Sequence, residues 1–375
     1  MAKKIVLLSL QTFSTTGGIQ KMTRTLAHAL YGIAKKNSWD FRLWSAYDSA
    51  GDLLSQYLPA DHFKCFGGNR TRFVFSAILK ARAPDVLILS HINLAVIGLI
   101  IKLINPGCKV WLFAHGIEVW RPLSFLKGHF LKRCDQVVCV SHFTKAQMIA
   151  RHQVAAERCE VLNNVVDPFM ELPVVFQKPE VLLKRHRVGP NDRVIFTLAR
   201  LASTEQYKGH DQVIMIMAGL VKKYPGLKYI LGGQYDHREE IRIQKLISSN
   251  HVDEHVILTG YIEESELADY FLLADVFVLP SKKEGFGIVF IEALACGTPV
   301  ICGNADGSID AICNGELGTA IPTDDKEQLL KALIHHLDSP PTPEKRFDLQ
   351  QRCLERFNER NYMDEIEKMI ADGGH

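Results

Sequence analysis

Short, continuous apolar runs alternate with amphipathic segments along most of the chain. In the first half KIVLLSL (4–10), FRLWSA (41–46), DVLILS (85–90), KVWLFA (109–114) and QVVCVS (136–141) read as strands. Between them lie helical patterns such as IQKMTRTLAHALYGIAKK (19–36), with Met22, Leu26 and Leu30 on one face. The second half repeats the rhythm. VIFTLA (194–199), KYILGG (228–233), HVILTG (255–260), VFVLP (276–280) and PVICG (299–303) alternate with helices near 211–223, 238–249, 264–274 and 288–296. Continuously apolar strands joined by helices predict parallel sheets covered on both faces, an α/β fold. Two such series predict two Rossmann-like, doubly wound domains. The rhythm lapses over 167–192, which collects four prolines. The predicted organisation is an N-terminal domain 1–170, a linker 171–192, a C-terminal domain 193–342 and a last helical segment 343–375 that can pack back on the N-terminal domain. In open α/β sheets ligands bind beyond the C-terminal strand ends, so the expected site is a cleft between two facing domains.

Charge refines this picture. The 44 Lys+Arg and 42 Asp+Glu give a formal net charge of only +2, which argues against a nucleic-acid binder. The balance hides a split: residues 1–170 hold 21 basic and 10 acidic residues (+11), leaving 23 and 32 (−9) for the rest. That swing suggests different partners for the two halves, or drift of surface charge. Met1-Ala2-Lys3-Lys4 leads straight into a strand pattern rather than a targeting signal, and the greasiest stretch, 92–104, is too short to span a bilayer and contains Lys102. Nine cysteines form no CxxC pair and several fall in apolar strands, as buried free thiols of a reducing cytoplasm would.

The densest chemical signal is SKKEGFGIVFIEALACGTPVI (281–301). It leaves a strand, passes Gly285 and Gly287, and enters a helix containing Glu292. A glycine-rich strand-to-helix turn presents backbone N–H groups and a positive helix end to an anionic ligand group. Glu284 and Glu292 over that turn suit sugar or ribose hydroxyls. Many loops carry a Glu and two glycines, so the turn alone does not decide the matter.

The spacing E-G-F-G-x-x-x-x-E followed by A-x-A-C-G-x-P-V-I resembles the signature of family 4 glycosyltransferases, retaining enzymes of the GT-B fold. Ala199-Arg200-Leu201 with Lys208-Gly209-His210-Asp211 resembles that family's G-R-L…K-G-x-D. Residues 256–281 resemble its run from base-binding strand to catalytic loop, TTGGIQKMTRTLAHAL its glycine loop and first helix, and AHGIE its histidine motif. There are departures: Ala199 replaces a glycine, STEQY separates the arginine and lysine motifs, NNVVD (163–167) lacks the usual proline and glycine, and Asp310 stands where a glutamate is usual.

The resemblance implies a site. A nucleotide-sugar donor carries a diphosphate whose charge grows as the glycosidic bond breaks, and Arg200 and Lys208 are cations suited to stabilising it. Gly17 and Gly18 bring backbone N–H groups to the same diphosphate. Glu284 contacts the donor sugar, Glu292 the ribose, while Tyr261 and Ile262 flank the base. Phe286, Gly287 and Ile288 offer backbone N–H groups, and His115 lies near the transferred sugar. The catalytic set is Glu284, His115, Arg200 and Lys208, with no covalent nucleophile. No D-x-D metal anchor occurs, so neither metal nor cofactor is expected. The implied activity is transfer of a hexose-type sugar, with retention, from a UDP- or GDP-linked donor to a glycan or lipid-linked acceptor in cell-surface polysaccharide or glycolipid synthesis.

Two basic stretches interleaved with apolar residues, RTRFVFSAILKAR (70–82) and RPLSFLKGHFLKR (121–133), could be crossover helices or could rest on an anionic membrane surface at the cytoplasmic face. Two further readings stay open. One is another nucleotide-sugar enzyme such as an epimerase. The other is a non-catalytic nucleotide-sugar-binding protein of the same fold.

Overall fold

A computed structural model of the chain describes residues 2–80 and 83–372. The end of the basic stretch 70–82 and residues 373–375 lie outside the described residues. The chain divides into two compact units, one running to Phe169 and resuming at Phe357, the other Met170–Arg356.

The first unit holds β1 (Lys4–Ser9), β2 (Asp40–Ser45), β3 (Phe63–Cys65), β4 (Val86–Leu89), β5 (Lys109–Ala114), β6 (Gln136–Cys139) and β7 (Cys159–Val161). They form one parallel sheet in the order β3-β2-β1-β4-β5-β6-β7. The second unit holds β8 (Val194–Leu198), β9 (Lys228–Gly232), β10 (Val256–Gly260), β11 (Val276–Leu279), β12 (Val300–Gly303) and β13 (Thr319–Ile321). These too are all parallel, ordered β10-β9-β8-β11-β12-β13. Both orders reverse direction at the first strand of the unit, so each sheet has a topological switch point, between β1 and β4 and between β8 and β11. Central strands are buried throughout, as in the VFVL of β11, because helices cover both faces. The ten strands expected from apolar runs are present; β3, β7 and β13 are additional.

An aromatic ladder locks the second unit's central layer. Phe196 of β8, Phe277 of β11, Phe271 and Phe290 stack edge to face at 5.5–5.8 Å between centroids. Phe290 lies in the helix Ile288–Ala295, so the ladder fixes that helix, and Glu292 with it, over β11. Such pairs add about 0.5–1.5 kcal/mol each beyond area burial.

Two sequence expectations need correction. The stretch 171–192 is not a bare linker: it contains the helix Glu180–Arg185, with Leu182 buried, and belongs to the second unit. Lys178 within it bonds to the buried Asp275 at 2.8 Å. Within the segment 343–375 the described residues form two helices, Pro343–Arg356 and Glu359–Asp372. The break has a local cause, since Asn358 Oδ1 accepts from Asn361 N at 2.8 Å and starts a new helix. The earlier helix stays with the second unit, where buried Arg346 donates to Thr298 Oγ1 and the Ala274 carbonyl. The later one packs in the first unit, burying Tyr362, Ile366 and Ile370, with Glu367 accepting from Lys36 and Asn37 of the helix Gly18–Asn37.

Candidate active site

The second unit's candidates gather at the C-terminal ends of β8 and β11, beside the switch point. After β8 the chain passes Arg200, then a short turn Gln206–Lys208, then Gly209. Gly209 has φ +83°, and a Cβ there would lie 2.4 Å from the Pro280 carbonyl oxygen. Only glycine lets this loop approach the end of β11 so closely. The approach delivers Lys208 Nζ to Glu284 Oε1 at 2.7 Å, both side chains largely buried at 14% and 12% exposure.

Beyond β11, Ser281 Oγ accepts from Lys283 N, and Glu284 precedes the buried Phe286 and Gly287. Gly287 adopts a left-handed conformation, φ 82°, at the start of the helix Ile288–Ala295, which has no side-chain cap. Glu292, four residues into that helix, is buried. Tyr261 and Ile262 follow β10: Tyr261 is half exposed, while Ile262 is buried with its Cδ1 directed at Gly232 of β9.

Arg200 behaves differently from Lys208. Its guanidinium is 72% exposed and pairs with Glu205, a residue of the STEQY segment that separates the two cationic motifs. The structure thus joins Lys208 to Glu284 but gives Arg200 a carboxylate from its own loop. Sequence reading missed Glu205 as a partner, although its presence within an insertion was visible. It also missed Asp306, which is buried and accepts from Glu284 N at 2.6 Å. Burial, then the nearby Glu284 charge, push the Asp306 carboxyl up to about 7, against hydrogen bonds from Ser308 and Glu284. The Asp-Gly dipeptide at 306–307 was a turn signal that could have drawn attention to it.

Among the described residues, one group of three could ligate a metal: His210, Asp211 and Glu239. Arg242 already occupies its centre, bonding Asp211 at 2.6 and 2.7 Å and Glu239 at 2.8 and 2.6 Å. Burial opposes the Glu239 carboxylate, but bonds from Arg242 and His210 prevail and hold it at about 2. A guanidinium fills the place a metal would take.

In the first unit, His115 follows β5 and donates from Nε2 to the Ser90 carbonyl beyond β4, at 3.1 Å. A carbonyl only accepts, so Nε2 carries the proton and Nδ1 keeps its lone pair. Burial, then neighbouring His91, push the ring down to about 4, which leaves it neutral at pH 7. Glu118 Oε1 fixes the turn, accepting from His115 N at 2.6 Å and Gly116 N at 3.2 Å. Gly17 and Gly18 end the loop after β1 and open the helix Gly18–Asn37. Upstream, the buried Asp48 carboxylate accepts from Thr12 N, Phe13 N, Ser14 N and Ser14 Oγ at 2.6–3.2 Å, an anchor the sequence did not reveal. All nine cysteines are free thiols and seven are buried.

Two Rossmann-like sheets, one with paired Lys and Glu at its switch point and a Gly-rich turn leading into a helix, define a doubly wound α/β class whose ligands bind beyond the C-terminal strand ends. Residues 180–353 match the family described as Glycosyl transferases group 1, and residues 42–168 match Glycosyltransferase Family 4. The chain belongs to the family 4 glycosyltransferases and has the GT-B fold. Among relatives it is 33% identical to a GDP-mannose-dependent alpha-(1-6)-phosphatidylinositol monomannoside mannosyltransferase of Mycolicibacterium smegmatis, over 60% of each chain. Its matches span 56–60% of the length of such curated relatives. Among solved structures, Anabaena HepE in complex with UDP-glucose gives a TM-score of 0.78 at 19% identity, covering 98% of this chain and 99% of that one. The sucrose-phosphate synthase of Thermosynechococcus elongatus gives 0.79 at 19%, covering 99% and 98%.

Proposed function

We propose that the protein transfers a hexose-type sugar, with retention, from a UDP- or GDP-linked donor to a glycan or lipid-linked acceptor of the cell surface. The second unit binds the donor and the first the acceptor. The observation that carries this reading is the Lys208–Glu284 pair, held by Gly209 at the ends of β8 and β11. In this reading Lys208 and Arg200 exchange their carboxylate partners for oxygens of the donor diphosphate. Backbone N–H groups of Phe286, Gly287 and Ile288 serve the same anion, and in the first unit Gly17 and Gly18 offer N–H groups suited to a phosphate. Glu284 then accepts from hydroxyls of the sugar, Glu292 from the ribose, and Tyr261 and Ile262 flank the base. Neutral His115 offers its Nδ1 lone pair as an acceptor for a sugar hydroxyl.

The bond from the anomeric carbon to the phosphate oxygen breaks with its electron pair on the diphosphate, where the cations stabilise it. The acceptor hydroxyl attacks the same face, and its proton passes to the departing phosphate oxygen. No protein nucleophile is required. The relative above supports a GDP-sugar and a lipid-linked acceptor, and the HepE complex a UDP-sugar. Stabilisation against thermal unfolding by UDP- and GDP-sugars, followed by product analysis with labelled donor, tests the reading. Inversion at the anomeric carbon, or conversion of the donor without transfer, overturns it.

The lipid-linked alternative among acceptors is favoured by the first unit's surface. The helices Arg70–Leu79, Ala95–Ile104 and Phe125–Leu131 neighbour one another. Each buries one face, Phe73 and Ala77 or Phe130 and Leu131, as crossover helices do. Yet Phe75, Leu79, Leu103, Phe125 and Leu126 are exposed beside the basic residues of both stretches, with Phe125 at 84%. Aromatic and aliphatic groups among Lys and Arg suit an anionic membrane surface. No helix among the described residues is long and apolar enough to cross a bilayer.

A further inference from the structure

The loop after β12 is tied to Glu284 through its backbone on both sides. Asp306 Oδ2 accepts from Glu284 N at 2.6 Å, and Gly307 N donates to the Glu284 carbonyl at 2.9 Å. Asp306 is itself fixed, since its Oδ1 accepts from Ser308 N at 2.9 Å. All three residues, Glu284, Asp306 and Ser308, are buried. The one side chain thus ties the loop that follows β11 to the loop that follows β12, at the residue whose carboxylate meets Lys208 at 2.7 Å.

We propose that Asp306 is a positioning residue for Glu284. Together with the Gly307 N–H it clamps the Glu284 peptide and so fixes the direction in which the Glu284 carboxylate points. The inference rests on the glycosyltransferase reading for its catalytic consequence but not for its structural one. Three physical points support it. The Asp306 oxygens accept these N–H groups whether or not the carboxyl is ionised, and in the ionised form the bond is charge-assisted, roughly twice as strong as a neutral one. Burial removes water as a substitute partner, so an unmade bond at this amide is not replaced. Finally, a group that must meet both a cation and a sugar hydroxyl tolerates little rotation, because misplacement of about 1 Å can cost on the order of 100-fold in rate. A second buried negative charge near Glu284 runs against electrostatics, and burial with the Glu284 charge accordingly pushes the Asp306 carboxyl up to about 7, while the bonds from Ser308 and Glu284 work the other way.

The variant Asp306→Asn is nearly isosteric but presents an N–H₂ where one of the two amides now finds an acceptor. Turnover is expected to fall by about 10- to 100-fold, with donor KM and the affinity for free nucleoside diphosphate within about 3-fold of the parent. In a Glu284→Ala background the same change is expected to cost nothing further, because a residue acting through Glu284 has nothing left to position. Equal losses in the two backgrounds, or a loss confined to KM, overturn the proposal. Amide hydrogen exchange of the peptide covering 281–288 reads the clamp without any substrate. Faster exchange confined to that peptide supports the proposal even if no sugar is transferred by the parent, which would refute the glycosyltransferase reading alone. Unchanged exchange there, or loss of protection across the whole second unit, overturns it.

Discussion

Replacing Lys208 with methionine isolates the pair at the centre of the candidate site. At 2.7 Å the gross attraction between Lys208 and Glu284 is about 6 kcal/mol with an effective dielectric constant of about 20. Most of that is offset by the desolvation of two side chains that retain only 14% and 12% exposure. The single change therefore costs less than the gross term, but it strands a carboxylate in a mostly dry place. Breaking such a pair costs about 3–5 kcal/mol when burial is complete. Residual exposure brings the expectation to about 2–3 kcal/mol, or a fall of about 5–10 °C in Tm for a unit of this size. The double variant Lys208→Met/Glu284→Gln removes both charges and is expected to recover most of that stability. It is not expected to recover activity, because the diphosphate has lost a cation and the sugar a carboxylate. Denaturant unfolding of the parent, both single variants and the double variant measures the coupling directly. A Lys208→Met protein as stable as the parent, or a double variant as unstable as the sum of the singles, would refute the claim that burial makes this pair interdependent. Recovery of turnover in the double variant would remove both residues from the chemistry.

Other expectations follow from single features. His115 has a folded pKa near 4, below its ordinary 6.5, so it contributes stability that is present above pH 6.5 and lost as the pH falls toward 4; His115→Gln should flatten the parent's acid-unfolding curve across that window, and an unchanged curve would show that the ring is not held neutral by burial. Gly209→Ala forces a side chain into a left-handed turn against the Pro280 carbonyl and should cost about 2–4 kcal/mol together with most of the activity; a stable, active variant would mean that the loop carrying Lys208 need not touch the end of β11. If Lys208 and Arg200 supply the positive charge as proposed, EDTA should leave turnover intact, and a loss restored by Mn²⁺ or Mg²⁺ would require a metal in the diphosphate site. Binding to anionic liposomes should be salt-sensitive and weakened by replacing Phe125 and Leu126 with serine, whereas salt-independent binding or none would detach the exposed apolar side chains from any lipid role.

Nine of the ten longer strands are central and were legible because a strand covered on both faces is largely apolar, as VLIL in β4 and VFVL in β11 are, while β10 lies at an edge but is five residues long. The three that escaped notice, FKC, CEV and TAI, are edge strands of three residues with mixed burial, too short for any period to register. The site was legible as separate motifs but not as contacts. Lys208 and Glu284 lie 76 residues apart, and nothing in either motif states that a left-handed glycine will bring them together. Arg200 and Lys208 looked equivalent as cations, yet one is exposed beside Glu205 and the other buried beside Glu284. That distinction depends on which loop folds inward, and therefore on packing at the strand ends. The role of Asp306 was invisible for a similar reason: its partner is a backbone amide, which every sequence contains.

The first unit is discontinuous, and this has a consequence for how the protein is made. Its opening helix, Gly18–Asn37, leans on a helix, Glu359–Asp372, that leaves the ribosome only after every residue of the second unit has been synthesised. Until then the nascent first unit carries seven strands but an uncovered place for Tyr362, Ile366 and Ile370. The second unit, Met170–Arg356, is uninterrupted and can mature first even though it is translated later. The packing of the first unit is therefore completed only when the helix Glu359–Asp372 has been synthesised, whatever the state of the second unit by then.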